Sequence, residues 1–229
     1  MIQITRPIPA KEIKLLLWDL DGTLVDSELD LAHSINAMLR HLKRPELPIE
    51  VVASYIGDGA PMLVRRSLGD PQNEGLVKSS LEYFMSYYRE HLLDNTKVYP
   101  GVLDTLTAIT ERSQLKMAVL TNKPINPSRG ICDGLKLSGF MSQIYGGNSF
   151  QTKKPDPHGA VTLLQEYGTA PNEAIMIGDS QNDVLTANNA GMYSVGVSYG
   201  LSPESLKIHP PDVMIDRPEE LLEVLKLGA

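Results

Sequence analysis

The sequence predicts an α/β protein: a doubly wound, mostly parallel sheet forming a Rossmann-like core, with an inserted α-helical cap domain. Two observations carry this. Short, almost continuously apolar runs alternate with segments of helix length, which is the pattern of parallel strands covered on both faces. One stretch, residues 28–95, breaks the alternation and holds helical patterns without a convincing strand. The expected division is therefore an α/β catalytic core from residues 1–27 and 96–229, with 28–95 as the helical cap.

Taken in order, IKLLLWDL (13–20) reads as the first buried strand. In the insertion, LDLAHSINAMLRHL (29–42) is amphipathic and PIEVVASYIG (48–57) is short and ambiguous. APMLVRRSLG (60–69) reads as helical, and GLVKSSLEYFMSYYREHLL (75–93) as a long, aromatic helix. Pro100–Gly101 marks the return to the core, and GVLDTLTAITERS (101–113) puts Val102, Leu106 and Ile109 on one helical face. LKMAVLTN (115–122) is the second strand and QIYGG (143–147) a short third. PHGAVTLLQEYG (157–168) opens near a proline and closes on a glycine, as helices tend to. EAIMIGD (173–179) is the fourth strand. SQNDVLTANNAG (180–191) offers Ser180 as N-cap, Asp183 at the third helical position and Gly191 as the stop. MYSVGV (192–197) and DVMI (212–215) complete the set, and no repeats or low-complexity tracts occur.

Composition narrows the function classes. The 229 residues carry 21 Lys plus Arg against 28 Asp plus Glu, a net charge of −7, which argues against the basic footprint a nucleic-acid surface needs. Cys132 is the single cysteine, so an internal disulfide and a Cys-rich zinc site are excluded, and it is expected to pack as a small hydrophobe. No run approaches the ~18 apolar residues of a membrane span. The start, MIQITRPIPAKEIK, lacks the basic head and apolar stretch of a secretory signal, so a cytoplasmic location is expected.

The chemistry is concentrated at strand ends, where α/β sheets place their ligands. Asp19 and Asp21 lie two apart at the end of the first strand and would face the same side of an extended segment. Such a pair is relieved by a divalent cation, by a shared proton or by turning one side chain away. A solvated strand end is the plain alternative. A calcium loop does not fit: it needs glycine sixth and glutamate twelfth, whereas here Gly22 comes fourth and Asp30 twelfth. Three later fragments join the pair. Thr121 and Asn122 follow the second strand with side chains able to bond a phosphate oxygen. Lys154 precedes a proline near a helix start. Asp179 follows the fourth strand, with Asp183 one turn on. Each fragment alone also reads as a turn, a surface lysine or an acidic N-terminal turn; their order and shared placement set them apart.

The segments DLDGTLVDS, TNK, KP and GDSQND match, in that order, the four motifs of the haloacid dehalogenase superfamily, and the chain resembles its subclass I hydrolases over essentially its whole length. The resemblance implies that Asp19 is a nucleophile forming an aspartyl-phosphate, and that Asp21 acts as general acid and then base. It implies Mg2+ held by Asp19, the Asp21 backbone carbonyl and Asp179, with Asp183 in support. Thr121, Asn122 and Lys154 would bind the transferring phosphoryl group. Asp21 argues against dehalogenase and phosphonate-cleaving relatives, which lack it, and TNK differs from the second motif of sugar phosphomutases.

In the cap, DLAHSINAMLRHL and YIGDGAPMLVRRSLG resemble the matching stretches of phosphoglycolate phosphatases. The loop Gly57–Asp58–Gly59 is then expected to face the site and help choose the leaving group, and Arg66 to be able to pair with a small carboxylate; an exposed helix arginine is the alternative. Asp58 sets a negative charge beside that position. The expected activity is Mg2+-dependent phosphomonoester hydrolysis of a small phosphorylated metabolite, 2-phosphoglycolate first. A pyrophosphatase, a sugar-phosphate phosphatase or phosphomutase, and a regulatory protein without turnover stay as alternatives, and a monomer or homodimer is expected. Tyr83, Phe84, Tyr87 and Tyr88 recur at helical spacing as cap packing, and of the five histidines only His158 lies near a motif.

Overall fold

A computed structural model of the chain describes residues 2–228. The elements run β1 Gln3–Ile4, β2 Leu15–Trp18, β3 Val25–Asp26, α1 Glu28–His41, α2 Ile49–Ala53, α3 Ala60–Ser67, α4 Glu74–His91, β4 Lys97–Val98 and α5 Val102–Arg112. They continue with β5 Lys116–Leu120, α6 Ile125–Gly134, β6 Gln143–Tyr145, α7 His158–Glu166, β7 Ala174–Gly178, α8 Gln181–Ala190, β8 Tyr193–Val197, β9 Val213–Ile215 and α9 Glu220–Val224. Seven strands form one sheet in the order β1-β9-β8-β7-β2-β5-β6. Every pairing is parallel except β1 with β9.

Strand β2 lies inside the sheet between β7 and β5 and its four residues are all buried, which is why it reads as a continuous apolar run. Its side chains alternate between two cores. Leu16 and Trp18 join Met117, Val119, Ile175 and Ile177 beneath α5, α6 and α9. Leu15 and Leu17 join Ala118, Leu120, Ala174 and Met176 beneath α7 and α8. Cys132 on α6 is fully buried in the first of these cores, and burial pushes its thiol up to about 12, so it packs and stays protonated. The six strands read from the sequence are all present. Edge strand β1, the ribbon of β3 with β4, and helices α6 and α9 are additions. Strands β1, β3 and β4 span two residues each, too short for periodicity to register, and α6 carries a proline and two glycines that dilute its pattern.

Helices α1–α4 enclose a third apolar cluster of their own, with Ile35, Met38, Val64, Phe84 and Tyr88 at its centre. The ambiguous segment 48–57 supplies α2. The two chain crossings to these helices are tied together. β3 pairs antiparallel with β4. The Asp30 carboxylate, 1% exposed, accepts backbone N–H bonds from Asn95 and Thr96 at 2.7–3.0 Å and side-chain bonds from both residues. Burial disfavours its charge, but these donors outweigh it and hold its pKa below the usual aspartate value.

Candidate active site

The carboxyl ends of β2, β5 and β7 converge. Past β2, the Asp19 N–H donates to Ile177 O at 2.9 Å, and Asp19 Oδ1 accepts from Leu20 N–H at 2.7 Å and lies 3.0 Å from Lys154 Nζ. Asp179 follows β7, with Oδ2 taking the N–H groups of Leu201 and Ser202 at 2.7 and 2.9 Å. Asp183 in the first turn of α8 is fully engaged: Oδ1 takes Lys154 Nζ at 2.6 Å, and Oδ2 takes Ser180 N–H and Oγ–H at 3.1 and 2.8 Å. The Asp19, Asp179 and Asp183 oxygens gather within 4.8 Å of one another, all buried.

This carboxylate cluster is electrostatically costly. Burial first, and then the charges of Asp183 and Asp19, push Asp179 up to about 8. Burial likewise raises Asp19 to about 6, against the pull of Lys154. A divalent cation fits what is there. The donors are all oxygens, and among the described residues Asp19 Oδ2 and Asp179 Oδ1 have no protein hydrogen-bond donor. Close packing protects the spot. A Cβ at Gly22, whose φ is +78°, would stand 2.3 Å from Asp179 Oδ2, and one at Gly200 would stand 2.2 Å from the Gly22 carbonyl.

The Asp21 carboxylate turns to a second lysine. Lys123 Nζ lies 3.0 and 3.1 Å from its two oxygens, and Ser27 Oγ donates to Oδ1 at 2.5 Å. The Lys123 ammonium also sits 4.7 Å from the Tyr88 ring centroid on α4, so a core side chain reaches the inserted helices. The lysine side chain is 3% exposed. Burial works against its charge, but Asp21 outweighs it and holds the pKa above the usual lysine value. In the sequence Lys123 stands within TNK, and its place directly after Thr121 and Asn122 at a strand end is the signal that marks it.

A cavity lies between sheet and inserted helices. Asp19, Asp21, Thr121, Asn122, Lys123 and Asp179 line its floor. Gly57, Gly59 and apolar side chains including Ile56, Leu63, Phe84, Met85 and Tyr88 line its roof. The structure thus brings Asp19, Asp21, Thr121, Asn122 and Asp179 to one cavity, with Lys154 and Asp183 bonded behind Asp19. The Asn122 amide nitrogen donates to Gly57 O at 2.9 Å and Lys154 O at 3.0 Å, so that group ties loops together. Asp58 and Arg66 do not line the cavity. Arg66 Nη2 pairs with Asp58 Oδ2 at 2.5 Å, and Asn182 Nδ2 donates to Asp58 Oδ1 at 2.9 Å. Lys153 donates to the Asp58 carbonyl oxygen. Burial opposes the Asp58 charge, yet Asn182 and Arg66 keep its pKa low. The aromatic stripe divides in the same way: Phe84 and Tyr88 are buried, whereas Tyr83 and Tyr87 stack on His41 and His91. His158 packs edge-on against Phe150.

Fold and site together define a hydrolase of the haloacid dehalogenase-like class. Residues 16–197 match the haloacid dehalogenase-like hydrolase family, and the chain belongs to it. It is a phosphatase. Among similar proteins, a phosphoglycolate phosphatase of Chromobacterium violaceum is 38% identical over 222 residues, covering 95% of this chain and 99% of that one. Phosphoglycolate phosphatase 1 of Pseudomonas aeruginosa is 37% identical over 214 residues, covering 91% and 78% respectively. The crystal structure of a predicted phosphoglycolate phosphatase from Haemophilus somnus superposes with a TM-score of 0.87 at 32% identity, covering 93% of this chain and 98% of that one.

Proposed function

We propose that the chain is a Mg2+-dependent phosphomonoester hydrolase working through an aspartyl-phosphate on Asp19, with 2-phosphoglycolate as substrate and helices α1–α4 as a cap over the site. The observation that carries this is the division of the two neighbouring aspartates. Asp19 faces the carboxylate cluster and Lys154, whereas Asp21 faces Lys123 and Ser27. Two carboxylates in different surroundings take different roles.

Mg2+, when bound, would be held by Asp19, Asp179 and the Asp21 backbone carbonyl, and would supply positive charge for the phosphoryl oxygens. The protein's groups do the rest. An Asp19 oxygen attacks phosphorus, and the bond from phosphorus to the ester oxygen breaks. That oxygen takes its electron pair and the proton carried by Asp21. Water then attacks phosphorus, gives its proton to the Asp21 carboxylate and breaks the bond to Asp19, which frees phosphate. Splitting the displacement gives two easier steps than one. Lys154, bonded to both Asp19 and Asp183, holds the nucleophile and places a cation beside the phosphoryl group. Thr121 at the end of β5 offers a hydroxyl to the same group. The names of the relatives support the choice of phosphoglycolate.

The test is a phosphate-release screen of the purified protein with and without Mg2+, offering 2-phosphoglycolate, pyrophosphate and hexose phosphates. Mg2+-dependent release, fastest from 2-phosphoglycolate, is the expected result. Release from none of them would refute the reading, and a preference for pyrophosphate or hexose phosphates would overturn its substrate.

A further inference from the structure

If the substrate is a short phosphate ester, something in the cavity must recognise what hangs from its ester oxygen. The sequence offered Arg66, but Arg66 is paired with Asp58 outside the cavity wall, and Nη1 reaches the Tyr55 carbonyl at 3.3 Å. Lys154 sits behind Asp19, committed to it and to Asp183. Among the described residues lining the cavity, Lys123 is the single cation. The roof it faces is apolar, so a negatively charged substituent entering there gives up its water and needs a counter-charge. In such surroundings an ammonium is weakly screened and counts for more.

Placement adds to composition. A general acid must lie within hydrogen-bond reach of the ester oxygen, and Lys123 Nζ is one hydrogen bond further, 3.0 Å from the Asp21 carboxylate. A group one carbon beyond the ester oxygen is therefore delivered beside the ammonium. Two of the three ammonium N–H donors suffice for the two Asp21 oxygens, and the third lies on the side of the neutral Tyr88 hydroxyl, where a charged carboxylate is the stronger acceptor. A second observation points the same way. The Tyr88 hydroxyl is buried, belongs to the wall of the same cavity and lies beside the Lys123 ammonium, which can only donate to it, so its own proton has no acceptor among the described residues. A buried donor without an acceptor is costly, and a carboxylate would supply the acceptor.

Building on the phosphatase reading above, we propose that Lys123 is a specificity-determining residue, its ammonium taking, with the Tyr88 hydroxyl, the carboxylate of an ester such as 2-phosphoglycolate. The leaving group is thereby read by the core loop after β5 together with α4, and not by the Arg66 side chain.

The test compares 2-phosphoglycolate with its neutral amide, 2-phosphoglycolamide, which keeps the size and the ester and removes the charge. The wild-type protein should prefer the acid by about 10- to 100-fold in kcat/KM, mainly through KM. Lys123→Met should bring that preference to within about threefold, and Lys123→Arg should retain most of it. Tyr88→Phe should reduce it by a smaller factor, and Arg66→Ala should leave it intact. Should Lys123→Met fail to fold, the wild-type ratio with the Tyr88→Phe and Arg66→Ala ratios decides. Equal slowing of acid and amide by Lys123→Met, with the ratio kept, would overturn the proposal and reduce Lys123 to a support for Asp21. Collapse of the ratio in Arg66→Ala would also overturn it. A wild-type protein that hydrolyses both esters without preference overturns it and leaves the phosphatase reading standing. Hydrolysis of neither ester removes the substrate assignment on which it rests.

Discussion

At the scale of the residue, the site turns on how one chain carries two aspartates two positions apart without mutual expulsion. The answer is that they do not share surroundings. Asp19 is bonded to Lys154 and faces Asp179, whereas Asp21 is bonded to Lys123 and Ser27. This separation predicts distinct kinetic signatures. Asp21→Asn should slow hydrolysis of 2-phosphoglycolate by about 10²- to 10⁴-fold, the usual contribution of a general acid or base. With p-nitrophenyl phosphate, whose leaving group needs no proton, the same variant should release one burst of nitrophenol per active site and then stall, because water lacks its base. A rapid-quench time course reads this directly, and steady release without a burst would count against Asp21 as the base of the second step. The carboxylates were legible in the sequence because the motifs state them at strand ends. The lysine partner of Asp21 was not, since nothing local says that Lys123 reaches across to the loop after the neighbouring strand β2, 102 residues earlier in the chain.

At the scale of the element, two places stand out among those that hold the helical insertion in position. Asp30 gathers donors from Asn95 and Thr96, so both crossings are anchored to one buried carboxylate. Asp30→Ala strands those donors and should cost about 3 kcal/mol in a denaturant titration; a change below about 0.5 kcal/mol would show that the clamp carries no stability. The second place is Asp58, bonded to Arg66 within the insertion and to Asn182 in the core. Asp58→Ala should release the loop, raising hydrogen exchange over residues 57–63 while β2 and β7 stay protected; unchanged exchange there would show that the latch is idle. Strands β2, β5 and β7 could be read because burial on both faces writes them as unbroken apolar runs. Helix α6, the β3–β4 ribbon and the Asp58–Arg66–Asn182 bonds could not, since diluted helices, two-residue strands and long-range pairs leave no periodic trace.

At the scale of the whole molecule, the buried carboxylate cluster ties stability to pH. Asp179 is held up to about 8, against a usual 3.8, by burial and by its acidic neighbours. The metal-free folded protein therefore keeps a proton that the unfolded chain gives up. That contribution to stability is fully present below about pH 4 and is lost as pH rises toward 8. A divalent cation bound there would take the proton's place, so the rise in Tm caused by Mg2+ should be small at pH 5 and should grow through pH 8. An equal rise at both ends would contradict the cluster as the binding site. No helix among the described residues is long and apolar enough to cross a membrane. The sheet fixes the chemistry and the inserted helices roof it, so the central claim rests on the residue at the end of β2. The most direct measurement is Mg2+-dependent phosphate release from 2-phosphoglycolate by the wild-type protein and Asp19→Asn, side by side and with folding checked by circular dichroism. Turnover by the wild type and a loss of at least about 10⁴-fold in the folded variant is the predicted result; turnover by Asp19→Asn within tenfold of wild type would contradict the account.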